Sequence, residues 1–195
     1  MPTRPIPTIE TERLVLTLPK PAVAPRMVAF YHSNRAHFAP WDPERQPTFY
    51  SAEWWRNQLR ENRREFLQDR SLRLAIFPRG DPEGPVVGVT NFSVFVRGSY
   101  QACLLGYSLD AAWEGQGMMT EALSAATTYA FEELDMHRIM ANYQPHNLRS
   151  GRLLERLGFT REGFARDYLY LAGAWRDHIL TALVRSGPSA SEPGS

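Results

Sequence analysis

Gly115-Gln116-Gly117 stands between a strand-like run ending near Leu109 and a helical run beginning near Met118. Glycines at such a junction permit backbone conformations closed to other residues and let a ligand approach the amides. Free N–H groups then converge at the positive end of a helix dipole, which suits a phosphate or pyrophosphate. The loop has no Lys-Ser/Thr pair to complete a P-loop, and no third glycine or acidic ribose reader at dinucleotide spacing. Nucleoside triphosphates and nicotinamides therefore fit poorly, and a pyrophosphate-bearing cofactor of another kind remains. Ser150 lies one helical turn before Leu153 and Leu154, so its hydroxyl faces the sheet side of its helix and needs a partner there; its own backbone is the alternative. Asn147 either caps the same helix or binds a ligand. Cys103 alternates with its neighbours in an apolar strand and reads as packing. His32, His37, His137 and His146 have no metal-ligand spacing, and no metal is expected.

The elements that must position these residues follow from periodicity. Residues 13–18 alternate as a half-buried strand, and 25–31 read as a short helix. Residues 35–50 carry Pro40, Pro43 and Pro47 around Trp41 and Phe49 and are expected to form an ordered loop. Ser51 starts an amphipathic helix over 51–68 with Trp55, Leu59 and Phe66 on one face; its arginines are interleaved with Glu53, Glu61 and Glu65, which marks a solvated face rather than a nucleic-acid surface. Strands over 71–77, 86–96 and 101–109 suggest an antiparallel meander, followed by a helix over 118–134, a strand over 138–143 and a helix over 147–157. Residues 164–171 and 177–184 form a hairpin turning at Gly173. The order predicts an α/β domain with a mixed, mostly antiparallel sheet flanked by helices and one parallel crossover through the helix near Met118.

The 195 residues suffice for one domain, expected over 10–185 between a flexible tail at 1–9 and a disordered one at 186–195. Lys plus Arg number 22 against 21 Asp plus Glu, a net charge of +1, so no global field attracts nucleic acid or an anionic membrane. Any anion must be held by local geometry. A single cysteine excludes an intrachain disulfide, and no apolar run reaches membrane length or fits a signal peptide; a cytoplasmic protein is expected.

Taken with the glycine loop, several segments resemble the GNAT superfamily of acyl-CoA-dependent N-acyltransferases, and within it the RimJ/RimL branch, which acetylates N-terminal α-amines of ribosomal proteins. They include Thr11-Glu12-Arg13-Leu14, Asn34-Arg35, Pro40-Trp41, Gly106 to Asp110, Glu121-Ala122, His137-Arg138-Ile139, Asn147 to Ser150, Leu157-Gly158-Phe159, Glu162-Gly163 and Trp175 to His178. Trp113 stands where the general loop pattern often has Gln or Arg.

The resemblance implies acetyl-CoA as cosubstrate, admitted where the strand through Gly106 to Leu109 splays from that over 138–143. Ser108, Leu109, Glu114, Gly115, Gln116, Gly117, Met118, Met119, Asn142, Asn147 and Ser150 would hold it, with a bulge and close approach at Gly106. It also implies Ser150 as proton donor to the departing sulfur, with Tyr107 as a further catalytic candidate. Asp177 and His178 are candidates for catalysis or acceptor binding against a structural His/Asp pair, and Trp41 is either an acceptor-site wall or core. RimL-like proteins have a Glu two residues before the Gly-Tyr of this strand; Leu104 stands there, so that base is not carried over. An α-amine of pKa about 7.7–8.0 needs roughly 1 kcal/mol to be neutral at pH 7, whereas lysine needs about 4–5. The implied acceptor is thus a protein or peptide N-terminus, with ribosomal proteins the precedent, and neither a nucleic acid nor a membrane. A small-molecule amine or antibiotic is the alternative acceptor, and a non-catalytic CoA-binding module the alternative function.

Overall fold

Leu14 and Leu16 are fully buried and Val15 and Thr17 half-buried, the alternation that makes β2 (Leu14–Thr17). A computed structural model describes residues 5–81, 83–185 and 187. Thr8 and Ile9, expected in the N-terminal tail, instead belong to β1 (Thr8–Glu10), an edge strand too short to show a period of its own. The tail expected at 186–195 lies outside the described residues except for Gly187.

The helices α1 (Ala24–Ser33) and α3 (Ala52–Leu67) pack together, and Ser51 Oγ caps α3 by accepting from the Trp54 amide at 3.2 Å. Between them, residues 35–50 are less irregular than their prolines suggest. They contain α2 (Arg35–Phe38) and a 3-10 turn at Pro47–Tyr50, where proline occupies the first turn and loses no helical hydrogen bond.

The rest of the chain supplies β3 (Leu72–Pro78), β4 (Gly88–Val96), β5 (Ala102–Leu109), α4 (Met118–Glu132), β6 (Arg138–Met140), α5 (Leu148–Arg156), β7 (Thr160–Leu171) and β8 (Ala174–Val184). Among the described residues the strands form one eight-stranded sheet in the order β1-β2-β3-β4-β5-β6-β8-β7, parallel only between β5 and β6. The expected crossover through α4 is therefore present. Ala122, Ala126 and Ala130 are fully buried and let α4 lie close on one face, with Leu74, Phe92 and Ile139; α1 and α3 cover the other through Ala75, Phe77 and Val89. Strands β7 and β8 start earlier than periodicity predicts, because β7 is an edge strand with little burial and hence little alternation. Ala172 and Gly173 make its turn at φ 48° and 74°. No described helix is long and apolar enough to cross a membrane.

One break in this sheet positions everything below. Strands β5 and β6 pair only at Ala102↔Arg138, Cys103↔Ile139 and Leu104↔Met140. Beyond that point β5 continues beside β4 as far as Leu109, while the Ala141 and Tyr143 amides stay bonded to Thr181 and Ile179 of β8. The strand expected over 138–143 is thus pulled away from β5 after Met140, and the sheet opens into a V.

Helix α5 closes against one arm of that V. A Cβ at Gly151 would lie 2.9 Å from Tyr143 Cε2 and 3.0 Å from its Cζ. Gly151→Ala gains about 0.5–1 kcal/mol of helix propensity but incurs overpacking of about 1–3 kcal/mol. The clash should win, and urea denaturation should show a lower midpoint for the variant; an unchanged or higher midpoint would mean that α5 does not depend on this contact.

Candidate active site

A cleft of about 1110 Å³ occupies the V. Tyr107, Ser108 and Leu109 line it from β5; Glu114, Gly115, Gly117, Met118 and Met119 from the loop and α4; Asn142, Asn147 and Ser150 from the β6–α5 segment; and Trp41 and His178 from the opposite side. Two of the residues expected here, Gln116 and Asp177, do not line it.

The loop needs its glycines. Gly115 has φ +73° and Gly117, the N-cap of α4, φ +77°, conformations that L side chains rarely adopt, and Gly115 has open space where a Cβ would be. Arg13 secures the loop from behind, with Nη1 donating to the Gln116 carbonyl at 2.9 Å and Nε to Glu121 Oε2 at 2.7 Å. Glu121 Oε1 also accepts from Thr11 Oγ1 at 2.6 Å and from the Arg13 amide at 2.8 Å. Desolvation pushes the Glu121 carboxyl upward, but these hydrogen bonds and the guanidinium charge outweigh it and hold the pKa below its ordinary value. Gln116 is thus a loop-holding residue, its side chain bonded to the Ala112 carbonyl at 3.1 Å. Glu114 accepts from His37 Nε2 at 3.1 Å and pairs with Arg149, tying α2 and α5 to the loop. Since a carboxylate repels phosphate, only its backbone suits an anion.

Ser150 Oγ lies 2.5 Å from the Tyr107 hydroxyl, so its partner is across the cleft wall and not its own backbone. Asn147 Oδ1 accepts from the Ser150 amide at 3.1 Å; Asn147 therefore caps α5 and also faces the cleft. Burial, reinforced by Tyr143 and opposed by the Ser150 bond, pushes the Tyr107 phenol up to about 12. Tyr107 stays protonated at neutral pH; either hydroxyl can donate in this bond, and when Tyr107 donates, the serine proton is free for a third group.

On the other face of the sheet, His178 is buried and its Nδ1–H donates to the Arg176 carbonyl at 2.9 Å. Its Nε2 lone pair is then left to accept a proton. The ring stands 5.4 Å from that of Tyr168, whose hydroxyl accepts from Asn142 Nδ2 at 3.1 Å. Nothing in the sequence distinguishes Tyr168 from other exposed aromatics of an edge strand. A bulge between Ala165 and Leu169 brings it in, and Asp177 builds that bulge by accepting from the Asp167 amide at 2.9 Å. Asp177 and His178 face opposite ways, as strand neighbours must, so the expected acceptor-site role for Asp177 gives way to a structural one. Gly106 carries no bulge either: its register with Asn91 is continuous, the β4–β5 irregularity lies between Ser93 and Val96, and the space above Gly106 is open. Trp41 sits 5.3 Å from His146, and the Pro40 and Asp42 carbonyls accept from Gln144 Nε2 and the Ala172 amide, so the proline-rich segment spans the cleft.

A mixed sheet split between two parallel strands, with a glycine cradle and a Ser–Tyr pair on the walls of the split, is the architecture of an N-acyltransferase. The model of the acetyltransferase (GNAT) domain matches residues 13–160, and the chain belongs to that family of N-acetyltransferases. It is 44% identical over 176 residues to the [ribosomal protein uS5]-alanine N-acetyltransferase of Escherichia coli K12, covering 90% of each chain. The ribosomal-protein-S5-alanine acetyltransferase of Vibrio fischeri superposes with a TM-score of 0.87 at 33% identity, covering 91% of this chain and 96% of that one. Mycobacterium smegmatis RimJ, solved in complex with CoA-disulfide, superposes at 0.82 with 25% identity, over 92% and 86%.

The Arg13–Glu121 clamp has a pH signature. Because the folded pKa of Glu121 is depressed, its contribution is fully present above the ordinary value of 4.5 and is lost as pH falls through the lower folded value. Wild type should therefore exceed Glu121→Gln in Tm at neutral pH, with the gap narrowing below about pH 4.5. A gap that stays constant down to pH 3 would show that the clamp carries no charge-dependent stability.

Proposed function

We propose that the protein transfers the acetyl group of acetyl-CoA to the N-terminal α-amine of a protein, a ribosomal protein on the precedent of its relatives. The observation that carries this reading is the 44% identity, over 90% of both chains, to an enzyme named for alanine acetylation of uS5. An acceptor made on or residing in the ribosome places the enzyme in the cytoplasm. The loop amides at Gly115, Gly117, Met118 and Met119 suit the pyrophosphate of the donor, and Ser108, Leu109, Asn142 and Asn147 flank the split where its pantetheine arm would run. No described cluster of His, Cys, Asp and Glu is placed to hold a metal, and the reaction needs none.

The neutral amine nitrogen attacks the thioester carbonyl carbon, whose oxygen takes the charge and is met by unpaired amides at the open edge of β5. When the C–S bond breaks, Ser150 Oγ gives its proton to sulfur while taking the Tyr107 hydroxyl proton, and Tyr107 regains a proton from water before the next turnover. The proton lost by the amine goes to His178 Nε2. Leu104 supplies no carboxylate base, a deficit that an α-amine tolerates and a lysine does not.

Ser150→Ala should lower kcat by about 10²–10⁴ while CoA affinity, read by calorimetry, stays within about twofold. Peptides beginning with Ala or Ser should be acetylated in preference to blocked peptides with a free lysine, at a rate rising with pH toward the α-amine pKa of about 7.7–8.0. Mass spectrometry that places the acetyl group on lysine, or turnover confined to small amines, would overturn the acceptor assignment.

A further inference from the structure

A second cavity, of about 320 Å³, lies on the α1/α3 face of the sheet and adjoins the cleft, with Tyr31, Arg45 and Asn91 lining both. Two donors on its walls have no hydrogen-bond acceptor. Trp55 is only 5% exposed, and its indole N–H, which can donate but not accept, is buried without a partner. The Nε–H of Arg73 is likewise buried and unbonded. Arg73 is ion-paired with Glu65, but Oε2 lies 3.6 Å from Nε, beyond hydrogen-bond distance, and already accepts from Ser71 Oγ at 2.7 Å. Arg45 adds a guanidinium held by Asp42 at 3.0 Å and lying over the Phe49 ring, and no Asp or Glu is among the described lining residues.

A buried donor without an acceptor is destabilising, so two on one wall call for an acceptor inside the cavity. The walls specify its chemistry: acceptor atoms, negative charge, and a body that packs on Tyr31 and Phe49. We propose that this cavity is a carboxylate subsite of the acceptor cleft. Its carboxylate comes either from an acidic side chain close behind the acceptor's N-terminus or from a free small carboxylic acid. The acceptor source rests on the function proposed above and is favoured by register. Arg73 pairs with Asn91 and Asn91 with Gly106, all on one face. Arg73 is therefore two strand spacings, about 10 Å, from the open space over Gly106 where the amine would be acetylated. An extended peptide rises about 3.3 Å per residue, so a Glu two to four residues along spans that distance.

The test uses the full chain in two arms. In the first, peptides with Glu or Gln at the second, third or fourth position are acetylated with acetyl-CoA. In the second, propionate and benzoate are compared with propionamide and benzamide by calorimetry, without turnover. An acidic side chain in the cavity predicts a kcat/KM about tenfold higher for Glu than for Gln at one position, reduced to under about twofold in Arg73→Gln and in Trp55→Phe, with turnover of the Gln peptide unchanged. A free acid predicts that the carboxylates bind, the amides do not, and both substitutions abolish binding. If Trp55→Phe fails to fold, the half-exposed Arg73→Gln decides alone. The subsite is refuted if neither Glu peptides nor carboxylates are distinguished from their amides, leaving water as the occupant, or if the discrimination survives in the substituted proteins. If no peptide is acetylated at all, the acceptor reading fails, and the calorimetric arm still decides the cavity.

Discussion

Everything functional in this molecule depends on the pairing of β5 with β6 ending after three residues. A parallel pair inside a sheet normally satisfies its backbone groups along its whole length, and leaving them open is costly unless something else takes them up. Here β5 is held to β4 and β6 to β8, so each strand keeps one partner and loses the other at Leu104 and Met140. The gap is kept open because both arms are braced. Tyr143 remains bonded to Ile179 on its strand side and meets Gly151 of α5 on its ring face, and Tyr107 reaches across to Ser150. A ligand carrying amides of its own can act as the missing strand, which is why the cleft suits a pantetheine chain.

The proposed function also requires an anion site in a protein of almost no net charge. Glu121 in the first turn of α4 favours the helix dipole but would repel a phosphate beside it. Arg13 cancels that charge and, with the same guanidinium, fixes the Gln116 carbonyl, so the loop presents amides to the ligand. Glu114 is neutralised in a similar way by Arg149. The proposed anion binding would then rest on backbone geometry set by two left-handed glycines rather than on a basic patch.

The legible part of the fold is the part with a period. Leu14 and Leu16 and the phase of Ser150 on α5 could be read because burial repeats along each element. The glycine loop could be read because its neighbours define a strand-to-helix junction. What escaped depends on partners distant in sequence. A three-residue β1 has no period, β6 stops at Met140 only because β8 draws it away, and Arg13 gives no local hint that it holds a loop more than a hundred residues on. The Asp177-His178 pair was recognisable as polar and placed correctly in the hairpin, but which of the two faces the cleft depends on register. The bulge at Asp167 that recruits Asp177 leaves no mark in composition.

Strand alternation also separates the two halves of the chemistry. On β5, Leu105, Tyr107 and Leu109 pack toward α4 and α5, whereas Leu104, Gly106 and Ser108 face the side of α1 and α3. In the proposed mechanism Tyr107 and Ser150 would therefore serve the leaving group from one face, and His178, with Asn142 and Tyr168 beside it, would take the amine's proton on the other. A continuous sheet would keep these groups apart. In the proposed mechanism the split would let a thioester lie in the plane of the sheet, its carbonyl carbon open to attack from one face and its sulfur protonated from the other. On opposite faces of the sheet, the proposed donor Ser150 and acceptor His178 cannot bond to each other, which would keep the serine hydroxyl and the His178 lone pair for the two substrates.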